Sequence, residues 1–285
     1  MHLLALKTYF HNNLLGYYPN SEIQSFFRLL CEFNLGYKPV DIVLNEEKEI
    51  LAKSYHFFQD TIERLQVYEP IQYILGETNF YGHTFKVNTS VLIPRPETEE
   101  LVDWIIKDYK NEAIRILDIG TGSGCIPITL AKHLPKAVVF SLDVSKEALK
   151  IAKENATLNQ VEVHFIEGDI LSADTATNLL KESRFDVIVS NPPYVRSSEK
   201  DQMKENVLNY EPHIALFVAD NDALVFYKRI VALSETLLVK GGALYFEINE
   251  ALGLEVQELM DLIYDNIEIR KDILGKDRMV KGIKR

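Results

Sequence analysis

Ile114-Arg-Ile-Leu-Asp-Ile-Gly-Thr-Gly-Ser-Gly124 joins a short apolar run to three alternating glycines. The apolar run predicts a buried strand, and the glycines after it let the backbone turn tightly and approach a ligand. The spacing is Gly-x-Gly-x-Gly, whereas the dinucleotide fingerprint requires its third glycine at position 125, which is Cys125. The usual pyrophosphate-binding pattern therefore fails by one residue, and a tight turn with a purely structural role remains an alternative.

The sequence after Ile114 alternates strand and helix patterns, which predicts an α/β domain with a parallel sheet and helices on both faces. Strands are predicted over residues 114–119, 137–142, 162–166, 185–190 and 243–248, with two further edge strands over 267–270 and 279–283. Helices are predicted over 125–133, 146–159, 222–239 and 251–264. Sheets of this kind bind ligands at the carboxyl ends of their strands, so we expect the chemistry where the first four strands end.

The N-terminal part of the chain has a different, helical character. Apolar residues recur at helical spacing over residues 3–15, 21–35 and 45–67, which predicts a small bundle. Residues 79–87 alternate aromatic and polar side chains like a hairpin, and a helix is predicted from Pro96 to Lys110. We therefore expect a helical domain over 1–75, a hairpin linker over 76–95 and an α/β domain over 96–285.

Composition narrows the classes of function. The 285 residues carry a net charge of −11, and an acidic surface repels phosphate backbones, which disfavours direct nucleic-acid binding. The sequence has no run of about 18 apolar residues, and we interpret its first residues as a helix and not as a signal peptide, so we expect no membrane partner. Cys31 and Cys125 lie far apart and the seven histidines lack ligand spacing, so we expect a cytoplasmic protein without a metal.

Two of the predicted strand ends suit a nucleoside. Asp143 ends the second strand, 23 residues after Gly120, where a carboxylate can accept both hydroxyls of a ribose. The third strand ends in Glu167-Gly168-Asp169-Ile170, which offers an acceptor and an apolar wall to a base. A helix cap at Asp143 and a plain turn at Gly168 are the alternative interpretations.

The fourth predicted strand ends in Asn191-Pro192-Pro193-Tyr194. Two successive prolines fix φ twice and remove two donors, which leaves carbonyl acceptors exposed to a pocket. An Asn side-chain oxygen and a neighbouring carbonyl can hold both hydrogens of an NH₂ group while the Tyr ring covers its flat face. This loop therefore predicts a site for a planar amide or amino nitrogen, and a Pro-rich turn with Tyr194 as a core aromatic is the alternative interpretation.

The same motifs resemble a known family, the HemK/PrmC glutamine N5-methyltransferases that modify peptide chain release factors. The resemblance is carried by Asp118 to Cys125, Asn191 to Tyr194, Pro70 to Gly76, Phe80 to Gly82, Val91 to Glu99, Asp143 to Ser145, Glu211-Pro212 and Gly275 to Arg278. Ile93-Pro-Arg-Pro-Glu97 is the most specific of these stretches. The sequence departs from the family pattern at Pro127, at Asn249 and in the turn over residues 217–220.

The resemblance implies a Rossmann-like, seven-stranded S-adenosylmethionine-dependent methyltransferase domain, preceded by a small helical domain that recognises the release factor. The substrate would be the Gln of a Gly-Gly-Gln motif, methylated at N5 by direct in-line displacement. We expect the enzyme to be a monomer. The implied cofactor contacts are Gly120, Thr121, Gly122, Ser123, Gly124, Asp143, Asp169, Ile170 and Asn191. The implied substrate contacts are Asn191, Pro192, Pro193 and Tyr194, of which Asn191, Pro192 and Tyr194 would be catalytic.

Three alternatives remain at this point. A glutamine methyltransferase acting on a ribosomal protein would use the same four-residue loop, and the N-terminal segment would discriminate it. An adenine-N6 nucleic-acid methyltransferase would hold a similar NH₂ group, but the sequence has neither a basic stripe nor a recognisable target-recognition insert. A non-catalytic binding module is the third alternative, which the intact Gly120, Asp143 and Asn191 disfavour.

Overall fold

The computed structural model describes residues 1–179 and 184–285. The chain divides into two compact units. The helical unit comprises Met1–Gly76 together with Glu205–Tyr210, and the sheet unit comprises Glu77–Lys204 and Glu211–Arg285. Among the described residues, we find no helix with the length and apolar character that crossing a membrane would require.

The helical unit is built around an apolar core. Its helices are α1 (Leu3–Leu14), α2 (Asn20–Leu35), α3 (Pro39–Leu44), α4 (Ala52–Gln66), α5 (Ile71–Leu75) and α10 (Glu205–Tyr210). Phe10, Phe27 and Phe58 contact one another at ring-centroid distances of 5.6 to 6.1 Å in this core. The helices predicted over 3–15 and 21–35 are confirmed to within one residue at each end.

The helix predicted over 45–67 is wrong in its first seven residues, because α4 begins at Ala52. Residues 46–50 instead bond to the N-terminus of the chain: Leu4 N donates to Glu46 O, and Ile50 N donates to Met1 O. Upstream of them, Pro39 starts the short helix α3, which ends at Leu44. Backbone pairing with a distant segment thus overrides the local helical pattern.

The sheet unit begins with a hairpin, β1 (Glu77–Phe80) and β2 (His83–Lys86), followed by α6 (Pro96–Asp108). The hairpin turn is fixed to α6, because Tyr81 N donates to Glu99 Oε1 at 2.8 Å and the Tyr81 hydroxyl donates to Asp103 Oδ1. On the other strand, Asn155 exchanges two hydrogen bonds with the backbone of Lys86. The hairpin is therefore packed on the rest of the sheet unit through its turn and its second strand.

A seven-stranded sheet forms the centre of this unit. Its strands are β3 (Arg115–Ile119), β4 (Val138–Asp143), β5 (His164–Glu167), β6 (Phe185–Ser190), β9 (Leu238–Glu247), β10 (Tyr264–Lys271) and β11 (Asp277–Lys284). Their order is β10-β11-β9-β6-β3-β4-β5, and β11 runs antiparallel to both of its neighbours. The sheet is therefore mixed, with the two C-terminal strands at one edge as predicted, and a small separate ladder joins β7 (Val195–Arg196) to β8 (Phe217–Val218).

Helices cover both faces of the sheet. Besides α6, they are α7 (Cys125–His133), α8 (Lys146–Asn159), α9 (Ala173–Leu179), α11 (Val225–Leu237) and α12 (Gly253–Met260). Successive residues of β3 belong to different apolar clusters, Ile116 to one and Leu117 to the other, as expected for a strand buried on both sides. The bounds of α7, α8 and β6 agree with the prediction to the residue.

Candidate active site

A cavity of about 360 Å³ opens where the four strands β3, β4, β5 and β6 end. β4 lies on one side of β3 and β6 lies on the other, so the strand order reverses at this point. Open α/β sheets bind ligands in the crevice at such a switch point. The volume lies within the range of about 300 to 1,000 Å³ that small-molecule sites occupy.

The glycine turn, Gly120 to Gly124, forms the floor of the cavity. Gly120, Gly122 and Gly124 have φ values of 83°, 55° and 83°, a region in which residues with a Cβ are strained. Gly120 N donates to Leu142 O, so the turn is fixed to the end of β4. A Cβ at Gly122 would meet no atom of the described residues within 4 Å, so the backbone there faces open space that a ligand can approach.

Hydrogen bonds of Thr121 and Ser123 hold this turn in place. Thr121 lines the cavity, and its hydroxyl donates to Asp118 Oδ2 at 2.6 Å. Ser123 also lines the cavity, and its carbonyl accepts from Asn155 Nδ2 at 2.9 Å. Gly124 differs from the other predicted contacts: a Cβ there would lie 2.7 Å from Ile128 Cδ1 and 3.1 Å from Ala152 Cβ. Its place in the fold is thus the close packing of α7 on α8.

Asp143 lies at the end of β4 beside the glycine turn. Its Oδ2 accepts from Gly122 N at 2.8 Å, and its Oδ1 accepts from Ser145 N at 2.8 Å. Burial raises the pKa of this carboxyl, and the backbone hydrogen bonds from Gly122 and Ser145 oppose that shift. The remaining lone pairs of a carboxylate held in this way can accept hydroxyls from a ligand in the cavity.

Asp118 was not among the predicted contacts, yet it is fully buried below the turn. Burial raises its pKa to about 7, while hydrogen bonds from Thr121 and Ser141 lower it and the charge of Asp143 raises it further. Its Oδ1 has no hydrogen-bond partner among the described residues. The charge of the Asp118 carboxyl, beneath the glycine turn, therefore changes with pH.

The end of β5 contributes a wall of the cavity. Ile170 is buried and lines the cavity beside Asp169, which is exposed. Asp169 Oδ1 accepts from Leu171 N at 2.9 Å, which fixes its side chain at the mouth. From α11, Arg229 donates to the carbonyls of Ile170 and Ser172 and holds the loop in place. This wall offers an apolar surface with an acceptor at its edge.

The corner Asn191–Tyr194 closes the opposite side. β6 is fixed to β3 at this end, because the Ser190 hydroxyl donates to Ile119 O at 2.6 Å. A Cβ at Gly120 would lie 3.8 Å from the carbonyl oxygen of Asn191, so the corner and the glycine turn are neighbours. Asn191, Pro192 and Pro193 line the cavity. The structure therefore brings residues of the predicted nucleoside site and of the predicted site for a planar nitrogen to one cavity.

Tyr194 is placed differently from its predicted role over a flat substrate. Asn191, Pro192 and Pro193 line the cavity, whereas Tyr194 is not among the described residues that line it. Its ring packs against the apolar cluster behind the corner, and its hydroxyl donates to Glu247 Oε1 at 3.2 Å. Burial first and the nearby Glu247 charge second raise the pKa of Tyr194.

The segment before α6 supplies residues for which the motif alone gave no role. Glu211 is buried, accepts from Arg95 Nη2 at 2.6 Å and from Ile93 N at 3.1 Å, and so fixes this segment over the cavity. Thr98 lies one turn further, where its hydroxyl donates to Glu247 Oε2 at 2.6 Å. The specific Ile93-Pro-Arg-Pro-Glu97 stretch and Glu211-Pro212 were the only signals of this arrangement in the sequence.

Two family models match the chain. Residues 98–213 match the methyltransferase small domain, and residues 16–76 match the PrmC N-terminal domain. The release factor glutamine methyltransferase of Flavobacterium psychrophilum is 48% identical over 282 residues, which cover 96% of each chain. The protein of the same name from Bacteroides thetaiotaomicron is 45% identical over 276 residues, 96% of this chain and 98% of that one.

Solved structures agree on the fold. A methyltransferase from Pyrococcus furiosus superposes with a TM-score of 0.51 at 20% identity, covering 72% of this chain and 90% of that one. A 16S rRNA methyltransferase from T. thermophilus in complex with AdoMet and guanosine has a TM-score of 0.53 at 18% identity, covering 73% of this chain and 50% of that one. At these identities the likeness is one of fold.

Proposed function

The chain belongs to the release factor glutamine methyltransferases, and on that premise we propose that Asn191, Pro192 and Pro193 hold the glutamine beside the methyl donor. The protein is an S-adenosylmethionine-dependent enzyme that methylates a glutamine of peptide chain release factors. The position within that substrate, N5 of the Gln in a Gly-Gly-Gln motif, follows from the sequence resemblance and is part of the proposal.

The residues around the cavity fit S-adenosylmethionine. The φ values of Gly120 and Gly122 and the open space at Gly122 leave room for a ligand over the turn. Asp143 would accept the ribose hydroxyls, and Ile170 with Asp169 would face the base. Thr121, Ser123 and Gly124 would shape the turn that supports the methionine part, and Asn191 would lie beside the reactive end. When bound, the cofactor supplies an electrophilic methyl group.

The observation that carries the proposal is the position of Asn191 at the wall of the same cavity, next to Gly120. An amide nitrogen is a weak nucleophile because its lone pair is delocalised into the carbonyl. Asn191 Oδ1 and a backbone carbonyl of the corner would accept both hydrogens of the glutamine NH₂ and so orient its nitrogen. The same two acceptors would disperse the positive charge that grows on nitrogen during attack.

Pro192 and Pro193 make this arrangement rigid, because their φ angles are fixed and they donate no hydrogen bond that would compete with the substrate. Tyr194 anchors the corner from behind through its ring and its hydroxyl. The glutamine nitrogen would take the methyl group directly, with S-adenosylhomocysteine as the leaving group and no covalent enzyme intermediate, and the extra proton of the methylated amide would leave to water.

The remaining parts of the proposal concern the whole chain. We assign recognition of the release factor to the helical domain over 1–75, a linking role to 76–95 and the chemistry to 96–285. The two cysteines are buried free thiols, which is compatible with a cytoplasmic enzyme. We propose that it acts as a monomer, without direct contact to nucleic acid.

The test is transfer of an isotope-labelled methyl group to purified release factors and, in parallel, to ribosomal proteins, with peptide mass analysis of both. The expected result is label on one glutamine of the release factor, at the side-chain nitrogen of the Gly-Gly-Gln motif, and loss of that label with Asn191→Ala. Label confined to a ribosomal-protein glutamine would support the alternative substrate. Label on another type of side chain would refute the proposed role of the corner.

A further inference from the structure

Glu247 is a buried carboxylate beside the corner. It ends β9, whose neighbour in the sheet is β6, and Phe246 pairs with Ser190 directly before the corner begins. Glu247 is 1% exposed, and its carboxyl accepts hydrogen bonds from the hydroxyls of Thr98 at 2.6 Å and Tyr194 at 3.2 Å. Burial raises the pKa of Glu247, whereas these two donors and the charge of Arg278 favour the ionised form.

The direction of these hydrogen bonds has a consequence for Asn191. Thr98 donates its single hydroxyl proton to Glu247 Oε2. Towards Asn191, Thr98 can then only accept, and Asn191 Nδ2 donates to Thr98 Oγ1 at 3.3 Å. The amide nitrogen of Asn191 is thereby turned to Thr98, and its oxygen is left for the cavity that the residue lines.

We propose that Glu247 is a positioning residue that acts on both ends of the corner. Through Thr98 it holds the Asn191 amide with Oδ1 towards the substrate, and directly it holds Tyr194 behind the corner. The inference deepens the proposed function and rests on it, because it assumes that Asn191 Oδ1 accepts from the substrate amide.

The orientation matters because the two ends of an Asn side chain are opposite in hydrogen-bonding character. With Oδ1 towards the cavity, the side chain accepts one hydrogen of the glutamine NH₂. With the amide reversed, two NH₂ groups would face each other, and the hydrogen bond would be replaced by an unpaired donor. A carboxylate at 247 excludes the reversed orientation at a distance, without touching the substrate.

The variants for the test remove the hydroxyl of Thr98 with little change of shape. Thr98→Val should lower kcat about 10-fold, since one hydrogen bond that orients a reacting group is lost. Its affinity for S-adenosylhomocysteine and its melting temperature should stay near those of the wild type. Thr98→Ser restores the hydroxyl and should restore kcat to within about twofold.

The matched control is Thr129→Val on α7. Thr129 is also fully buried, and its hydroxyl has no hydrogen-bond partner among the described residues. Deleting that hydroxyl should leave kcat at the wild-type value. Glu247→Gln is the second variant: its amide offers one acceptor and one donor to the hydroxyls of Thr98 and Tyr194, so one of these two hydrogen bonds must reverse and kcat should fall.

A double-mutant cycle separates positioning from a general structural effect. If Thr98 acts through Asn191, Thr98→Val should cost no more than about twofold in kcat when added to Asn191→Ala. A full 10-fold loss in the Asn191→Ala background would overturn this inference but not the proposed function. The same holds if Asn191→Ala is impaired while either Thr98→Val or Glu247→Gln keeps the wild-type kcat. Wild-type kcat in Asn191→Ala would overturn the proposed function and this inference with it.

Discussion

Asp118 carries a carboxyl group that lies buried below the glycine turn. It belongs to the strand that precedes the glycine turn, yet its carboxyl is fully buried and has a pKa of about 7 because of that burial. Thr121 and Ser141 donate to its Oδ2 from the turn and from β4. A group with a raised folded-state pKa keeps a proton that the unfolded chain loses, from about pH 4 upwards.

The raised pKa of Asp118 makes the free energy of unfolding depend on pH. Between about pH 4 and pH 7 the folded state binds one more proton at Asp118 than the unfolded state, so this residue lowers the free energy of unfolding as pH rises. Asp118→Asn cannot ionise. Its melting temperature should therefore rise relative to the wild type as pH increases from about 5.5 to about 8. Two parallel curves of melting temperature against pH would contradict this account of Asp118.

At the scale of single elements, the glycine turn and α7 depend on close packing as well as on φ. Gly124 and Gly275 share a φ of 83°, but only Gly124 has neighbours that a Cβ would contact. Gly275→Ala should cost about 1 kcal/mol, the strain of a left-handed residue. Gly124→Ala should cost about 3 kcal/mol, because α7 must also move away from Ala152.

Chemical denaturation of the two glycine variants beside the wild type measures the difference. Gly275→Ala serves as the control, because its backbone strain is the same and its surroundings are empty. Equal losses in the two variants would mean that the contact between α7 and α8 has slack, and that packing contributes nothing to the choice of glycine at position 124.

The elements that the sequence predicted well are those whose local signals agree with their surroundings. β6, α7 and α8 have an apolar pattern, a turn on either side and, at Ser145, a side-chain cap that accepts from Ala148 N. The helix prediction failed over residues 45–51 because residues 46–50 bond to residues at the N-terminus, which no local pattern reveals. The start of β9 at Leu238 was missed as well, since Gly241 and Gly242 interrupt its apolar run.

The candidate site divides in the same way. Asp143 and Asn191 could be predicted because each follows a strand whose carboxyl end must lie at the switch point of the sheet. Thr98, Glu211 and Glu247 could not, because their roles depend on contacts between residues 116 to 149 positions apart. Gly124 and Tyr194 have the right residue type at the right place in a motif, but in the structure they pack behind the cavity wall.

At the scale of the whole molecule, charge bears on the choice between substrates with a planar NH₂ group. The net charge is −11, and the cavity at the strand ends could receive an amide of a protein or a flipped base alike. Binding to nucleic acid gains most of its affinity from phosphate contacts, which an acidic surface disfavours. Excess RNA should therefore leave methyl transfer to the release factor unchanged, and none of the label should enter the RNA.

Competition with ribosomal RNA and with single-stranded DNA, followed by counting of label in protein and nucleic acid, tests this prediction. Strong inhibition at low salt that disappears at high salt would contradict it, because that dependence is the signature of phosphate binding.

The most direct test of the proposed chemistry is the single-turnover rate of Asn191→Ala with a purified release factor, measured beside calorimetric binding of S-adenosylhomocysteine. Loss of one preorganised acceptor should cost about 3 kcal/mol of transition-state stabilisation, a rate decrease of more than a hundredfold. The variant should still bind the cofactor product. A rate near that of the wild type, with the product still bound, would contradict the role of the corner.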